Sequence, residues 1–234
     1  MALDCTLLRA TAEGQAFLRL YRWNPGCLSF GRHEPALTRY DRARIEQLGL
    51  DTVRRPTGGR AVWHHDEVTY AVAAPVEAFG SLAESYAAIH RMIVDALARL
   101  GVVAQLAPAP STQPPAPSAG ACFASPAGGE VVANGRKLVG SAQTREGGAF
   151  LQHGSILLSD GQDVVTTVTR GPAPVPAATS LSELLGRPVE FSEVATEIVR
   201  EARDAWGSES GAGHEGPDPD LVSRFHDPTW TWRR

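Results

Sequence analysis

The chain has 234 residues, 43% of them hydrophobic, and a formal net charge of -4 at pH 7. This length and composition allow a substantial core in one large domain, which excludes a disordered chain and a small disulfide-stapled protein. No apolar run approaches the roughly 20 residues of a membrane span, no signal-peptide layout opens the sequence, and Lys/Arg runs are short, so we expect a cytoplasmic protein without a membrane or nucleic-acid partner.

Short apolar runs separated by turn residues fill the N-terminal quarter and predict strands. The runs LLRA, FLRLYRW and CLSFG are interpreted as strands, with Asn24-Pro25-Gly26 as the turn between the last two. Residues 41–48 predict a short helix that Asp41 caps and Gly49 ends. Two further strand-like pieces, DTVRR and EVTYAVAA, flank a glycine-rich stretch.

The periodicity changes to that of a helix at Ser81. Apolar residues recur every three or four positions as far as Leu100, and Glu84 stands in the capping-box position relative to Ser81. Residues 107–120 are rich in proline, serine and alanine and predict a loop or flap. The sequence Asn134-Gly135 predicts a tight turn between two strands, and GGAFLQHGSILL predicts another strand.

The C-terminal third predicts two helices, over residues 180–185 and 192–206. The final run RFHDPTWTWRR predicts a short aromatic strand or clip. Strands and helices are mixed without regular βαβ alternation, which indicates the α+β class. We therefore predict one domain over residues 1–207 and a C-terminal extension, residues 208–234, that packs on it.

Four stretches occur together in a fixed order: LSFGRHEPA (28–36), RRPTGGRAVWHHDEVTYAV (54–72), the block from ACF to NGRKLVGSAQTR (121–145), and FLQHGSILL (150–158). Their combination resembles the superfamily of lipoate-protein ligases, octanoyltransferases and biotin-protein ligases. The likeness is greatest to the cysteine-dependent octanoyltransferases and covers most of residues 17–160. It implies the biotin/lipoate ligase catalytic-domain fold, a mixed β-sheet flanked by helices.

The resemblance also implies an activity and two catalytic residues. It implies an acyltransferase that moves an octanoyl group from octanoyl-acyl carrier protein to a lysine of a lipoyl domain, such as glycine cleavage H protein, with no metal or other cofactor. The nucleophile is then Cys122, which needs no ATP to form an acyl-enzyme, and Lys137 assists it. By local chemistry alone, Cys122 is also typical of an inert buried thiol and Lys137 of a surface lysine. We expect a monomer.

The resemblance places further residues around the acyl substrate. The predicted substrate-binding residues are Arg54, Arg55, Gly58, Gly59, Arg60, His65, Gly140, Ser141, Ala142, Gln143, His153 and Gly154. The glycine pair lets the backbone approach a ligand, although glycine is equally typical of a plain turn. The arginines suit a phosphopantetheine phosphate or an acidic carrier surface, or simply solvent. His153 suits a pocket floor or a structural hydrogen bond.

Other functions remain open at this point. An ATP-dependent lipoate-protein ligase has a third glycine where this chain has Arg60, and the run HHDEVTYAV lacks the asparagines of the ligase nucleotide site, which favours the transferase. A lipoyl-domain amidotransferase would use the same residues. The chain could also be a non-catalytic homologue that binds acylated carriers. This alternative stays open because the run FASPAGGEVVANG lacks the bulkier, aromatic residue that the family usually has just before the glutamate. Cys5 and Cys27 are interpreted as packing residues, and no cysteine or histidine has zinc-ligand spacing.

Overall fold

The computed structural model describes residues 1–11, 14–108, 123, 128–172, 177–207 and 216–233. The helices in these ranges are α1 (Ala2–Ala10), α2 (Ala36–Arg39), α3 (Arg42–Gln47), α4 (Leu82–Arg99), α5 (Asp163–Val168), α6 (Leu181–Leu185), α7 (Phe191–Trp206), α8 (Pro219–His226) and α9 (Pro228–Thr231). The strands are β1 (Phe17–Tyr21), β2 (Cys27–Phe30), β3 (Asp51–Arg54), β4 (Val62–His64), β5 (Glu67–Pro75), β6 (Gln105–Leu106), β7 (Val131–Ala133), β8 (Arg136–Lys137), β9 (Val139–Glu146) and β10 (Ala149–Leu157).

The strands form small sheets that are mainly antiparallel. The largest has the order β1-β5-β10-β9, with every neighbouring pair antiparallel. A second sheet has the order β3-β2-β4, in which β2 and β3 are parallel. The third, β6-β7-β8, is antiparallel. This mixture of sheets with flanking helices confirms the predicted α+β class.

The predicted helix after Ser81 and its cap are confirmed. The Ser81 hydroxyl accepts a hydrogen bond from the Glu84 amide at the start of α4, which satisfies a backbone donor that the helix leaves free. Asp41 caps α3 in the same way. Helices α6 and α7 also lie where the sequence predicts them, and each ends at a glycine with positive φ, Gly186 and Gly207.

The core lies on both faces of the largest sheet because the buried strand β5 alternates between two layers. One set of its side chains, including Val68 and Val72, packs with apolar residues of α4 and α7. The intervening Ala71 and Ala73 pack with Leu7 and Leu8 of α1. Alternation of side chains across a strand thus places a helical layer on each side.

The strand predicted for the run LLRA is wrong, because these residues belong to α1. Asp4, Cys5, Leu7 and Leu8 are the buried residues of this helix, a spacing that defines one helical face. Because the charged residue Asp4 lies on that face, the apolar residues of this short segment do not show a clear helical period. The remaining run LLRA therefore resembles a strand. Asp4 tolerates burial because Arg19 donates a hydrogen bond to it at 2.6 Å.

The short strand predicted for RFHDPTWTWRR is also wrong, since most of the described part of this run lies in α8 and α9. Asp227 caps α9, and Pro228 occupies its first turn, a combination that favours the start of a helix. Helix α8 contacts α1 and β3, and α9 contacts β3. The boundary between residues 207 and 208 stays a prediction. None of the described helices combines the length and the apolar character that crossing a bilayer requires.

Candidate active site

Lys137 lies buried on a hairpin that β7 and β8 form. The turn residues Asn134 and Gly135 both have positive φ, 51° and 73°, as the Asn-Gly pair predicts for a hairpin turn. Val132 pairs with Lys137, and since side chains two residues apart share a face, Glu130 lies on the same side as Lys137. Lys137 Nζ donates a hydrogen bond to Glu130 Oε1 at 2.6 Å, and both side chains are buried.

The ring of Phe123 lies beside the amine of Lys137. Its centroid is 5.1 Å from Lys137 Nζ, and the Phe123 carbonyl accepts a hydrogen bond from the Ala177 amide. A Cβ atom at Gly140 would lie 2.7 Å from the Phe123 ring and 3.3 Å from Lys137 Cε. Glycine is therefore required for β9 to pack against both side chains. Cys122 directly precedes Phe123 in the sequence but lies outside the described residues, so its role as nucleophile stays a prediction.

A cavity begins at Gly140 and continues between β10, β4 and the loop that follows β3. Its lining residues are Met1, Tyr21, Ser29, Arg55, Val62, His64, Thr69, Gly140, Ser141, Ala142, His153, Gly154 and Ser155. The predicted residues that meet in this wall are Arg55, Gly140, Ser141, Ala142, His153 and Gly154. The predicted residues outside the wall are Arg54, Gly58, Gly59, Arg60, His65 and Gln143, and their contact with substrate stays a prediction.

Gly154 is required where β9 and β10 meet the cavity. A Cβ atom there would lie 2.6 Å from both the Gly140 carbonyl oxygen and Ser141 Oγ, and 2.7 Å from the ring of Tyr70. Two of these neighbours, the backbone of Gly140 and the packed tyrosine, have little freedom to move. The glycine thus lets the backbone of β10 form part of the cavity wall directly.

His153 extends from β10 into the same wall and is buried. Its Nε2 lies 2.6 Å from Thr57 Oγ1, and its Nδ1 lies 3.5 Å from Asp4 Oδ2 in a geometry that makes no hydrogen bond. Burial lowers the pKa of His153, and the nearby Asp4 carboxylate only partly opposes this. A neutral imidazole has one donor and one acceptor nitrogen, so the side chain suits a pocket floor as well as a structural hydrogen bond.

Arg55 holds the glycine-rich loop in place. Its guanidinium donates to the carbonyl oxygens of Gly58 at 2.9 Å and Arg60 at 2.6 Å, and to Ser29 Oγ at 3.0 Å. Gly59 has φ of 90°, and a Cβ atom there would lie 2.8 Å from the guanidinium. These bonds make Arg55 a positioning residue for the loop that borders the cavity.

Arg54 is fully buried and anchors the C-terminal helices. Its guanidinium donates to the carbonyl oxygens of Trp230 at 2.9 Å, Gly31 at 2.6 Å and Glu34 at 2.7 Å. The Trp230 indole donates back to the Arg54 carbonyl at 2.9 Å. Substrate contact by Arg54 stays a prediction, and these bonds favour a structural role for it.

A polar network that the sequence did not indicate lies on the α4 side of β9. Ser141 Oγ is 2.6 Å from the Tyr70 hydroxyl and 2.8 Å from His90 Nε2. Gln143 belongs to the same face and donates to Ser85 Oγ at 2.9 Å. Burial lowers the pKa of His90 to about 4. One sequence feature could have indicated this network: Tyr86 and His90 are four residues apart, which places them side by side on one face of α4.

His64 was not predicted from the sequence as a site residue. It lines the cavity, whereas the predicted His65 does not. His64 Nε2 lies 2.7 Å from Ser29 Oγ, and its Nδ1 lies 2.8 Å from Glu67 Oε1. The ring stacks on Trp23 with centroids 4.7 Å apart. His65 is exposed. Side chains alternate between the two faces of a strand, so consecutive residues such as 64 and 65 are expected to point in opposite directions. This alternation could have shown that only one of the two histidines faces the cavity.

The described residues contain no group of three His, Cys, Asp or Glu side chains that is arranged to hold a metal ion. What they do provide is a buried amine hydrogen-bonded to a carboxylate, next to a cavity walled by glycine backbone, hydroxyls and imidazoles. Such a pair can pass a proton to or from a reacting group in a site that excludes water. This chemistry suits acyl transfer.

Residues 1–203 match the family described as "Lipoyl protein ligase A/B catalytic domain". The octanoyltransferase LipM of Kyrpidia tusciae is 37% identical to the chain over 259 residues, which cover 100% of this chain and 94% of that protein. The octanoyltransferase LipM of Moorella thermoacetica is 34% identical over 254 residues, covering 100% and 93%. The similarity to these two proteins covers both the hairpin that carries Lys137 and the C-terminal helices.

Solved structures of lipoate-protein ligases have the same fold. Lipoate-protein ligase A bound with ATP superposes with a TM-score of 0.79 and 19% identity, covering 99% of this chain and 92% of that one. A bipartite lipoate-protein ligase from Thermoplasma acidophilum, studied with its E2 lipoyl domain, gives a TM-score of 0.78 and 17% identity, covering 99% and 89%. At these identities the likeness establishes the fold alone, and it confirms the predicted ligase-type fold.

Proposed function

This chain belongs to the family of lipoyl protein ligase A/B catalytic domains, and we propose that it passes an octanoyl group from octanoyl-acyl carrier protein, by way of Cys122, to a lysine of a lipoyl domain. It is an octanoyltransferase of protein lipoylation, since octanoyltransferases match its whole length at 37% and 34% identity. The donor, the acceptor and the catalytic residues are those that the family resemblance implies, and the chemistry of the site supports them. In this proposal the protein works in the cytoplasm as a monomer, without a metal or other cofactor.

The observation that carries the catalytic proposal is the buried pair of Lys137 and Glu130. A lysine amine in an apolar interior is costly unless it is paired, and here it is held 2.6 Å from a carboxylate oxygen beside the cavity. Phe123, whose ring lies 5.1 Å from that amine, is covalently bonded to Cys122. This connection supports the thiol as the group on which the amine acts.

In the first step the sulfur of Cys122 attacks the thioester carbonyl of the octanoyl donor. A bond forms between the carbonyl carbon and Cys122 Sγ, and the bond to the phosphopantetheine sulfur breaks. As the bond breaks, the Lys137 ammonium gives a proton to the departing phosphopantetheine thiolate, and the amine so formed takes the proton of the Cys122 thiol; Glu130 keeps the amine oriented for both transfers.

In the second step the neutral amine of the acceptor lysine attacks the acyl thioester on Cys122. The carbon–nitrogen bond forms while the bond to Cys122 Sγ breaks, and the proton lost by the amine returns through Lys137 to the thiolate. No high-energy cofactor is required, because a thioester is already activated toward an amine. The products are an octanoyl-lysine amide and the free thiol of Cys122.

Strand β9 supplies hydrogen-bond donors near the reacting carbonyl. It is an edge strand of the largest sheet, so alternate amides along residues 140–143 point away from β10. In the proposal one or more of these amides stabilise the oxyanion that develops in both steps. Gly140 lets this part of the strand pack closely against Phe123, because a Cβ atom there would collide with the ring.

The acceptor in this proposal is a lipoyl domain, such as glycine cleavage H protein. The Thermoplasma acidophilum ligase, which has the same fold, was studied with its E2 lipoyl domain. The acyl chain of the substrate would lie against Gly154, Ala142 and Val62, and the cavity, about 20 Å³ in this structure, would widen to admit it. Gly58, Gly59 and Arg60 form the loop beside it, where a phosphopantetheine arm can pass close to the backbone.

The proposal is tested by mixing purified protein with octanoyl-acyl carrier protein and a lipoyl domain, without nucleotide, and measuring the mass of the lipoyl domain. We expect an added octanoyl group. Modification that occurs only with ATP and free octanoate would instead identify a ligase. Transfer only from an octanoylated lipoyl domain would identify an amidotransferase. Binding of the acylated carrier without any transfer would identify a non-catalytic binding protein.

A further inference from the structure

Three arginine side chains come together on the surface where the C-terminal helices meet the loop after β2. They are Arg32, Arg224 and Arg233, which we call the arginine cluster. Arg32 and Arg224 are exposed, and Arg233 is partly exposed. Burial, followed by the charges of Arg32 and Arg224, lowers the pKa of Arg233, so Arg233 lies close enough to feel both of the other guanidiniums.

Trp230 fixes the positions of two members of the cluster. The guanidinium carbon of Arg224 lies 3.9 Å from the centroid of a Trp230 ring, and that of Arg233 lies 4.2 Å from it. Arg233 also donates a hydrogen bond to the Arg32 carbonyl. Guanidiniums stacked on an indole keep their donors free at the edge, so the cluster is arranged in advance for an anion.

The cluster forms no ion pair within 4 Å with a carboxylate of the described ranges. Arginines elsewhere on the surface, such as Arg9 and Arg187, form ion pairs with carboxylates, but the described Asp and Glu side chains form none with Arg32, Arg224 or Arg233. The whole chain carries a net charge of -4, so this positive patch is local. Like charges held together without a partner repel one another, and an acidic partner would relieve that repulsion.

The cluster lies next to the loop that borders the cavity. The Arg32 amide donates to the Thr57 carbonyl at 2.7 Å, and Thr57 in turn contacts His153 in the cavity wall. A Cβ atom at Gly31 would lie 1.8 Å from the Gly59 carbonyl oxygen, so the two loops touch through their backbones. A partner bound at the cluster is therefore adjacent to the proposed entrance for the acyl group.

We propose that the arginine cluster is the docking surface for the acidic face of the acyl carrier protein that donates the octanoyl group. This inference rests on the proposed function. The donor suits the surface because it combines carboxylates with a phosphodiester on its prosthetic arm. The acceptor fits less well, since its reactive lysine is a cation until it loses a proton, and three nearby guanidiniums oppose its approach.

The test measures binding of fluorescently labelled holo-acyl carrier protein by anisotropy, at low and high ionic strength. The test variant is the double substitution Arg32→Glu with Arg224→Glu, because both side chains are exposed. We expect its dissociation constant to rise about tenfold at low salt, and the salt dependence of binding to flatten. The matched control is Arg145→Glu, an exposed arginine of β9 whose side chain donates to the Gly147 carbonyl, and it should bind like the unmodified protein.

Two results overturn the docking proposal: unchanged carrier binding in the double variant, or an equal loss in the Arg145→Glu control. Weakened binding of the lipoyl domain instead of the carrier also overturns it, because the surface then serves the acceptor. Thermal melting of each variant shows that the fold is intact.

A small neutral donor separates this proposal from the proposed function. Octanoyl-N-acetylcysteamine carries the thioester but has neither phosphate nor protein. Equal transfer from it by the unmodified protein and the double variant, together with weaker carrier binding, supports docking at the cluster. If the unmodified protein transfers from neither this donor nor the carrier, the proposed function fails, and the binding measurement still decides the docking surface.

Discussion

The amine of Lys137 lies 2.6 Å from the carboxylate of Glu130, and both side chains are buried beside the cavity. The Asn134-Gly135 turn creates this pair, because it folds β7 and β8 so that both residues project from one face of the hairpin. A buried ion pair contributes little net stability, whereas removal of one partner is costly. The pair therefore fits a chemical role better than a purely stabilising one.

Glu130→Gln should lower both stability and transfer. The substitution leaves the amine of Lys137 beside a neutral amide, and loss of one charge of a buried pair costs about 3 kcal/mol of unfolding free energy. We expect octanoyl transfer to fall by about a hundredfold, since the amine loses the carboxylate that orients its proton transfers. Urea denaturation and turnover with octanoyl-acyl carrier protein give the two values.

The double variant Lys137→Met with Glu130→Leu separates the two effects. Apolar replacement of both members of a buried pair is often neutral for stability, so the unfolding free energy should return to within about 1 kcal/mol of the original. Transfer should remain lost. Substantial transfer by this double variant would show that the pair is structural.

Gly154→Ala should destabilise the protein by about 1–3 kcal/mol, the usual cost of overpacking. The added methyl group would lie 2.6 Å from the Gly140 carbonyl oxygen, in a strand that borders the cavity. The matched control is Gly148→Ala, where an added Cβ meets nothing within 4 Å. Thermal melting should separate the two variants, and equal melting temperatures would contradict the close packing of β9 and β10.

Stability should decrease as pH falls from about 6.5 toward about 4, in part because of His90. Burial lowers its pKa in the folded protein from 6.5 to about 4, so in this window the unfolded chain binds the proton and the folded protein does not. The contribution of His90 to the slope is at most about 1.4 kcal/mol per pH unit. His90→Asn should flatten the pH dependence of the unfolding free energy, and an unchanged slope would contradict the buried neutral imidazole.

Cys5 and Cys27 should resist alkylation in the folded protein. Burial raises the pKa of Cys5 to about 11 and that of Cys27 to about 12, so almost no thiolate is present at pH 8. Iodoacetamide should therefore modify Cys122 first, and the other two only after unfolding. Peptide mass mapping after a short exposure measures this order, and early labelling of Cys27 would contradict it.

Much of the fold follows from local sequence patterns. The apolar period of α4, its Ser81 cap and the Asn134-Gly135 turn predicted their elements, because each depends on residues close together in the chain. Helix α1 was missed since Asp4 lies within its buried face. That carboxylate is satisfied by Arg19, which comes from β1, and a pattern confined to the helix does not reveal such a partner.

Less of the site than of the fold could be predicted from the sequence. Motif residues such as Gly140, His153 and Gly154 do meet in one cavity wall, but the role of Arg54 depends on carbonyl oxygens of α9, which are distant in sequence. The contact of His64 with Ser29 joins two different strands in the same way. Contacts of this kind depend on tertiary packing, which no local spacing encodes.

The central claim is that Cys122 carries the octanoyl group, and intact-mass spectrometry tests it most directly. The protein is mixed with octanoyl-acyl carrier protein, without nucleotide and without acceptor, and its mass is compared with that of Cys122→Ser. One octanoyl group should appear on the original protein, in a linkage that neutral hydroxylamine cleaves, and Cys122→Ser should form no such thioester. An unmodified original protein, or a thioester that persists in Cys122→Ser, would contradict the account.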